Sequence, residues 1–99
     1  MGGSRPARLV LYGRGYCHLC EDMRAAVAEF ETGFDFSLTV IDIDAAAETD
    51  PALLARYDEL VPVLAARLAD GSERELCHYF LDPAALTACL TDCGAARMA

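Results

Sequence analysis

The sequence predicts an α/β fold: one mixed four-stranded sheet with three helices packed on its faces, in the order β-α-β-α-β-β-α. Three observations lead there. Four short apolar or alternating stretches are bounded by turn residues, as strands are. Between and after them stand a stretch with helical spacing and two Asp-Pro pairs, which mark helix starts. Asp70-Gly71 separates the last two strand stretches as a hairpin turn would.

Strand one is read from Arg8 to Tyr12, a short apolar run followed by the loop Gly13-Arg14-Gly15. Leu19, Met23, Ala26, Val27 and Phe30 then fall at helical spacing. Helix one is placed at His18 to Thr32, ending at Gly33 as a left-handed C-terminal residue. Phe36 to Asp42 alternates on a two-residue period and gives strand two. A helical crossover makes strands one and two parallel. Asp44 to Asp50, acidic and alanine-rich, has no clear assignment. Asp50-Pro51 starts helix two, with Asp50 as N-cap, and it ends near Asp58. Pro62 to Leu68 and Glu73 to Phe80 make strands three and four. Asp82-Pro83 starts helix three, whose Leu86, Cys89, Leu90 and Cys93 form a buried stripe stopped by Gly94. Residues 8–94 are one domain, 1–7 an N-terminal tail and 95–99 a C-terminal tail.

The chain has 99 residues, enough for a single small core, and 55% of them are apolar. No apolar run is long enough to span a membrane, and no signal core is visible near Met1. The net charge of −8 argues against a nucleic-acid surface, which needs clustered Lys and Arg. Five cysteines with a single motif-spaced pair suit a reducing, cytoplasmic setting better than a secreted disulfide framework.

That pair is Cys17-His18-Leu19-Cys20, where strand one hands over to a helix N-terminus. Free backbone N–H groups and the positive dipole end favour an anion there, and the thiolate is the reactive form of cysteine. Cys17 is the candidate nucleophile and Cys20, one turn in and more buried, the candidate resolving thiol. Arg14, three residues earlier, is available to stabilise the Cys17 anion. Glu21 and Asp22 oppose it. His18 between the thiols would favour a thiolate when cationic. Tyr16, beside Cys17, is grouped with the substrate-binding residues. Leu19 is assigned to core packing, as are Cys77, Cys89 and Cys93. Cys77-His78 does not complete a zinc site with Cys17 and Cys20, because adjacent strand residues face opposite ways. No metal site is expected.

With Cys17-His18-Leu19-Cys20 after strand one, Tyr57-Asp58-Glu59-Leu60-Val61-Pro62 before strand three, and this element order, the chain resembles the thioredoxin superfamily, and small glutaredoxin-like proteins most. The likeness runs from about Arg8 to Cys93. It implies a thioredoxin-like, glutaredoxin-like fold and thiol–disulfide oxidoreductase activity. It implies that Pro62 is cis against the cysteine pair, with the Val61 backbone offered to the substrate. It implies no bound cofactor, with glutathione as the candidate co-substrate. Two departures stand out: His18-Leu19 replaces the usual Pro-Tyr, and Tyr79-Phe80-Leu81-Asp82 replaces a Gly-Gly turn followed by Asp. The partners implied are a disulfide-containing protein or a glutathione mixed disulfide and an unidentified reductase. Nucleic acid and membrane are not expected as partners, and the chain is expected to be a monomer. Two alternatives belong to other classes: an iron–sulfur cluster or metal-binding module, and a thioredoxin-fold binding module that turns nothing over.

Overall fold

The computed structural model describes residues 7–96. Strand β1 (Ala7–Gly13) lies at the centre of a four-stranded sheet of order β2-β1-β3-β4. Strand β2 (Phe36–Asp42) runs parallel to β1 along its whole length, from Ala7↔Phe36 to Gly13↔Asp42. Strand β3 (Val63–Arg67) runs antiparallel on the other side, and β4 (Glu73–His78) is antiparallel to β3. The mixed sheet and the β3–β4 hairpin match the sequence reading. Gly71, at φ +90°, takes the left-handed turn, and Asp70 accepts bonds from the Ser72 amide and hydroxyl.

Strand alternation divides the core in two. Leu9, Leu11, Leu64 and Ala66 face one layer, and Val10, Tyr12, Val63 and Ala65 face the other. The first layer takes helix α1 (His18–Ala28) through Met23 and Val27, and the last helix through Leu86, Cys89 and Leu90. The second takes the short helices α2 (Ile43–Ala46) and α3 (Pro51–Tyr57) through Ile43 and Tyr57. Tyr12 stacks on Tyr57 at 4.6 Å between ring centroids. The last helix, α4 (Pro83–Asp92), is capped by the Asp82 carboxylate, which accepts from the Ala85 amide.

Several sequence assignments need correction. Helix one is not continuous to Thr32: α1 tightens into a 3₁₀ turn over Glu29–Thr32. Gly33 then sits at φ −114°, so it is not the left-handed residue expected there. The Asp44–Asp50 stretch opens with α2, making a fourth helix. Asp42 caps it by accepting from the Asp44 and Ala45 amides. Asp50 makes no side-chain cap bond, and Pro51 alone fits the helix start. Strand four stops at His78 because Tyr79 turns to φ +64°. A bulge opposite Leu64 and Ala65 lets both Leu76 and Cys77 pack on the core.

Cys93 leaves the buried stripe: α4 ends at Asp92, Cys93 is its exposed cap, and Gly94 turns the chain at φ +71°. The predicted C-terminal tail begins too early, because Ala95 is buried and Ala96 bridges to Phe34. The predicted N-terminal tail runs one residue too far, since Ala7 is in β1. The remaining tail residues, 1–6 and 97–99, lie outside the described residues.

Candidate redox site

The site stands where β1 ends and α1 begins. Cys17 is the N-cap of α1: its backbone is extended (φ −112°, ψ 107°) and its Sγ accepts from the Cys20 amide at 3.1 Å. The sulfur thus takes the place a serine or aspartate oxygen takes at other helix starts. Cys17 and Cys20 form a disulfide, with Cα atoms 5.1 Å apart. Cys20 is buried and Cys17 half-buried, so Cys20 is the more buried of the two, as the sequence reading expected.

Gly13 makes that geometry possible. A Cβ placed on it would lie 2.9 Å from the Cys20 Sγ and 3.2 Å from its Cβ. The sequence reading placed Gly13 in a loop and gave it no role. A glycine at the end of a buried strand before a Cys-x-x-Cys is the signal that could have drawn attention to it.

Arg14 is not the free cation the spacing suggested. Its Nε lies 3.1 Å from one Asp44 carboxylate oxygen, and its terminal nitrogens reach both the Asp58 carboxylate and the Asp58 carbonyl. These bonds, Asp58 first and Asp44 next, hold its pKa above the ordinary arginine value. Arg14 therefore ties the site loop to α2 and to the turn after α3. Its partners lie 30 and 44 residues away, so local spacing could not show them.

Val61-Pro62 is a cis peptide bond, as the resemblance implied. Pro62 is buried, and its carbonyl accepts from the Tyr79 amide at 2.9 Å. The register pairs Tyr12 with Val63, so Gly13 and Pro62 come next outward on adjacent strands, at the sheet end that carries the cysteines. Tyr16 is fully exposed and His18 is exposed at the start of α1. With Gly15, Cys17 and Glu21 they line a hollow of about 220 Å³. Leu19 is not in the core: it is 36% exposed and faces a groove opposite Tyr79, Phe80 and Leu81.

The other thiols have different surroundings. Burial is the largest influence on Cys77 and on Cys89, and it pushes both thiols up. Among the described residues no group of three or more His, Cys, Asp and Glu side chains is placed to hold a metal ion. No described helix is long and apolar enough to cross a membrane.

The model of the glutaredoxin-like domain family (DUF836) matches residues 8–91. An uncharacterized protein of Mycobacterium tuberculosis is 35% identical over 71 residues, which are 71% of this chain and 69% of that protein. The solution structure of a Nitrosomonas europaea protein is 40% identical, with a TM-score of 0.74 over 91% of this chain and 98% of that one. The buckwheat glutaredoxin–glutathione complex is similar at a TM-score of 0.51 and 23% identity, over 90% of this chain and 81% of that one, a likeness of fold. The chain belongs to the glutaredoxin-like domain family and has the thioredoxin/glutaredoxin fold.

Proposed function

We propose that this protein is a thiol–disulfide oxidoreductase in which Cys17 attacks and Cys20 resolves. The observation that carries the reading is the Cys17 Sγ capping α1 within disulfide reach of a buried Cys20. A thiolate at that cap receives the Cys20 N–H and the positive end of the α1 dipole, both of which favour the charged form. With Arg14 engaged elsewhere, these backbone groups are the main source of activation.

The reaction follows in two displacements. The Cys17 thiolate attacks one sulfur of a substrate disulfide, forming a mixed disulfide and expelling the other sulfur as a thiolate. Cys20 loses its proton to solvent and attacks the Cys17 Sγ, closing the Cys17–Cys20 bond and releasing the second substrate thiolate. Two electrons pass to the substrate, and a separate reductase or thiol must return them. The Val61 backbone beside cis Pro62 would pair with the substrate chain as a short strand, and Tyr16 and His18 would border it. The protein needs no cofactor for this and would work as a monomer in a reducing compartment, the cytoplasm. Its substrate would be a protein disulfide or a glutathione mixed disulfide.

Cys17→Ser is expected to abolish reduction of a model disulfide. Cys20→Ser is expected to accumulate a covalent mixed disulfide at Cys17, seen by intact mass. Full activity in Cys17→Ser would refute the assignment.

A further inference from the structure

From Leu19, inside the Cys17–Cys20 motif, a groove of about 170 Å³ runs between α1 and the β4–α4 loop. Leu19, Met23 and Ala26 form one wall and Tyr79, Phe80 and Leu81 the other, with Asp22 at the edge. Phe80 is 69% exposed, unusual for a large aromatic ring, and Tyr79 is 39% exposed with its ring edge-on to His78 at 4.8 Å. The Tyr79 ring is nevertheless fixed, because its hydroxyl donates to the Glu59 carbonyl at 2.6 Å. The volume is below the roughly 300–1,000 Å³ of a pocket that encloses a small-molecule ligand. It suits one side chain of a larger molecule.

Carboxylates predominate around the groove. Glu21, Asp22 and Glu59 are exposed, and no ion pair engages them among the described residues. Arg14, one positive charge, faces two carboxylates, Asp44 and Asp58, which leaves that cluster at −1. The first turn of α4, which could otherwise receive an anion, is occupied by the chain's own Asp82 carboxylate. Two further cations face other hollows: Arg24 lines the cleft on the Gly13 side with Arg14, Glu21 and Asp42, and Arg56 lines the one beside Asp58 and Glu59.

Resting on the oxidoreductase reading, we infer that this groove seats a large apolar side chain of a polypeptide substrate whose disulfide cysteine has basic neighbours. The apolar walls take the side chain, and the unpaired carboxylates attract the flanking cations. Glutathione, with two carboxylates and no apolar side chain, is disfavoured on both counts. Electrostatic complementarity of this kind acts mainly on association and is screened by salt.

Four disulfides offered to the pre-reduced protein test this: neutral hydroxyethyl disulfide, oxidised glutathione, and two peptide homodimers. One peptide flanks its cysteine with arginine and leucine, the other with glutamate and serine. Each single-turnover rate is divided by the rate with dithiothreitol, an uncharged dithiol, to remove intrinsic differences. The basic–apolar peptide should exceed both oxidised glutathione and the acidic peptide by about 10-fold or more at low salt. The charge part of that preference should collapse toward 1 M salt, and Asp22→Asn should reduce it. Phe80→Ser should erase the leucine advantage measured between basic peptides differing only at that position. Equal rates, or a preference for glutathione, with hydroxyethyl disulfide still reduced, would overturn the inference and leave the oxidoreductase reading standing. Reduction of none of the four by folded protein would overturn both.

Discussion

Two helices of this protein each carry a cysteine pair at one end, and the ends are opposite. Cys17 and Cys20 stand at the N-terminus of α1, where free N–H groups point at the sulfur. Cys89 and Cys93 stand at the C-terminus of α4, where the free groups are carbonyls and the dipole end is negative. The first pair closes into a disulfide. In the second, burial first and then the neighbouring Cys93 push the Cys89 thiol up, while Arg74 works the other way. The residue type is the same, so helix end and burial are what set the two pairs apart, and on them rests the proposal that Cys17 is the reactive sulfur.

The sharpest way to break this contrast is to remove one sulfur from each end. Cys17→Ser should lower disulfide reduction by more than about 10³-fold, since the attacking atom is lost. Cys93→Ser should stay within about twofold of the parent. Comparable losses in the two variants would mean that the α4 pair takes part in turnover.

Alkylation reads the same contrast without mutation. In reduced protein at pH 7, Cys17 should react with iodoacetamide at least about 10-fold faster than Cys93, followed by peptide mass. Cys77 and Cys89 should lag behind both, because burial raises their pKa and blocks access. The Cys17 advantage over Cys77 and Cys89 should persist through the ordinary thiol range, because burial holds their pKa above it.

Two glycines sharpen the account of why the first pair can close. Gly13→Ala places a methyl carbon against the Cys20 sulfur and should cost about 1–3 kcal/mol in denaturant unfolding. Gly33→Ala meets nothing within 4 Å at an ordinary negative φ, and should be neutral or slightly stabilising. Equal costs would show that close approach at Gly13 is not what the site requires.

The smallest effect belongs to the sheet face that carries neither pair. Burial and a 2.5 Å bond to Glu73 raise the Tyr12 hydroxyl above its ordinary value of about 10. Tyr12 holds its proton more tightly folded than unfolded. Its contribution is whole below pH 10 and is lost as pH climbs above it. Tyr12→Phe should cost about 1 kcal/mol at neutral pH and flatten the stability curve above pH 10. Glu73 keeps its 2.8 Å bond to Arg67 in that variant.

What was legible in the sequence was what depends on short spacing. The alternation of β2, the hairpin at Asp70-Gly71 and the Asp82 cap of α4 are local patterns, and each is present. The Cys17–Cys20 pair and its strand–helix junction were legible for the same reason. Helix α2 was not, because its alanine run has no apolar period. Ile43, buried against Tyr57 and Tyr12, and the Asp42 cap fix it. Leu19 fits the helical period of α1 but is 36% exposed and lines the groove shared with Tyr79, Phe80 and Leu81. Arg14 looked like the thiolate's partner because the chain puts it near Cys17. Folding gives it Asp44 and Asp58 as partners. The role of Gly13 depends on a contact with Cys20 that only the folded backbone creates.

A redox titration of the Cys17–Cys20 pair tests the central claim most directly. The protein would carry serine at Cys77, Cys89 and Cys93 and be equilibrated in glutathione buffers, with free thiols counted by mass. The account predicts one reversible two-electron transition between about −200 and −270 mV, the range of reducing members of this superfamily. Folded protein that never closes a Cys17–Cys20 disulfide across that range would contradict it.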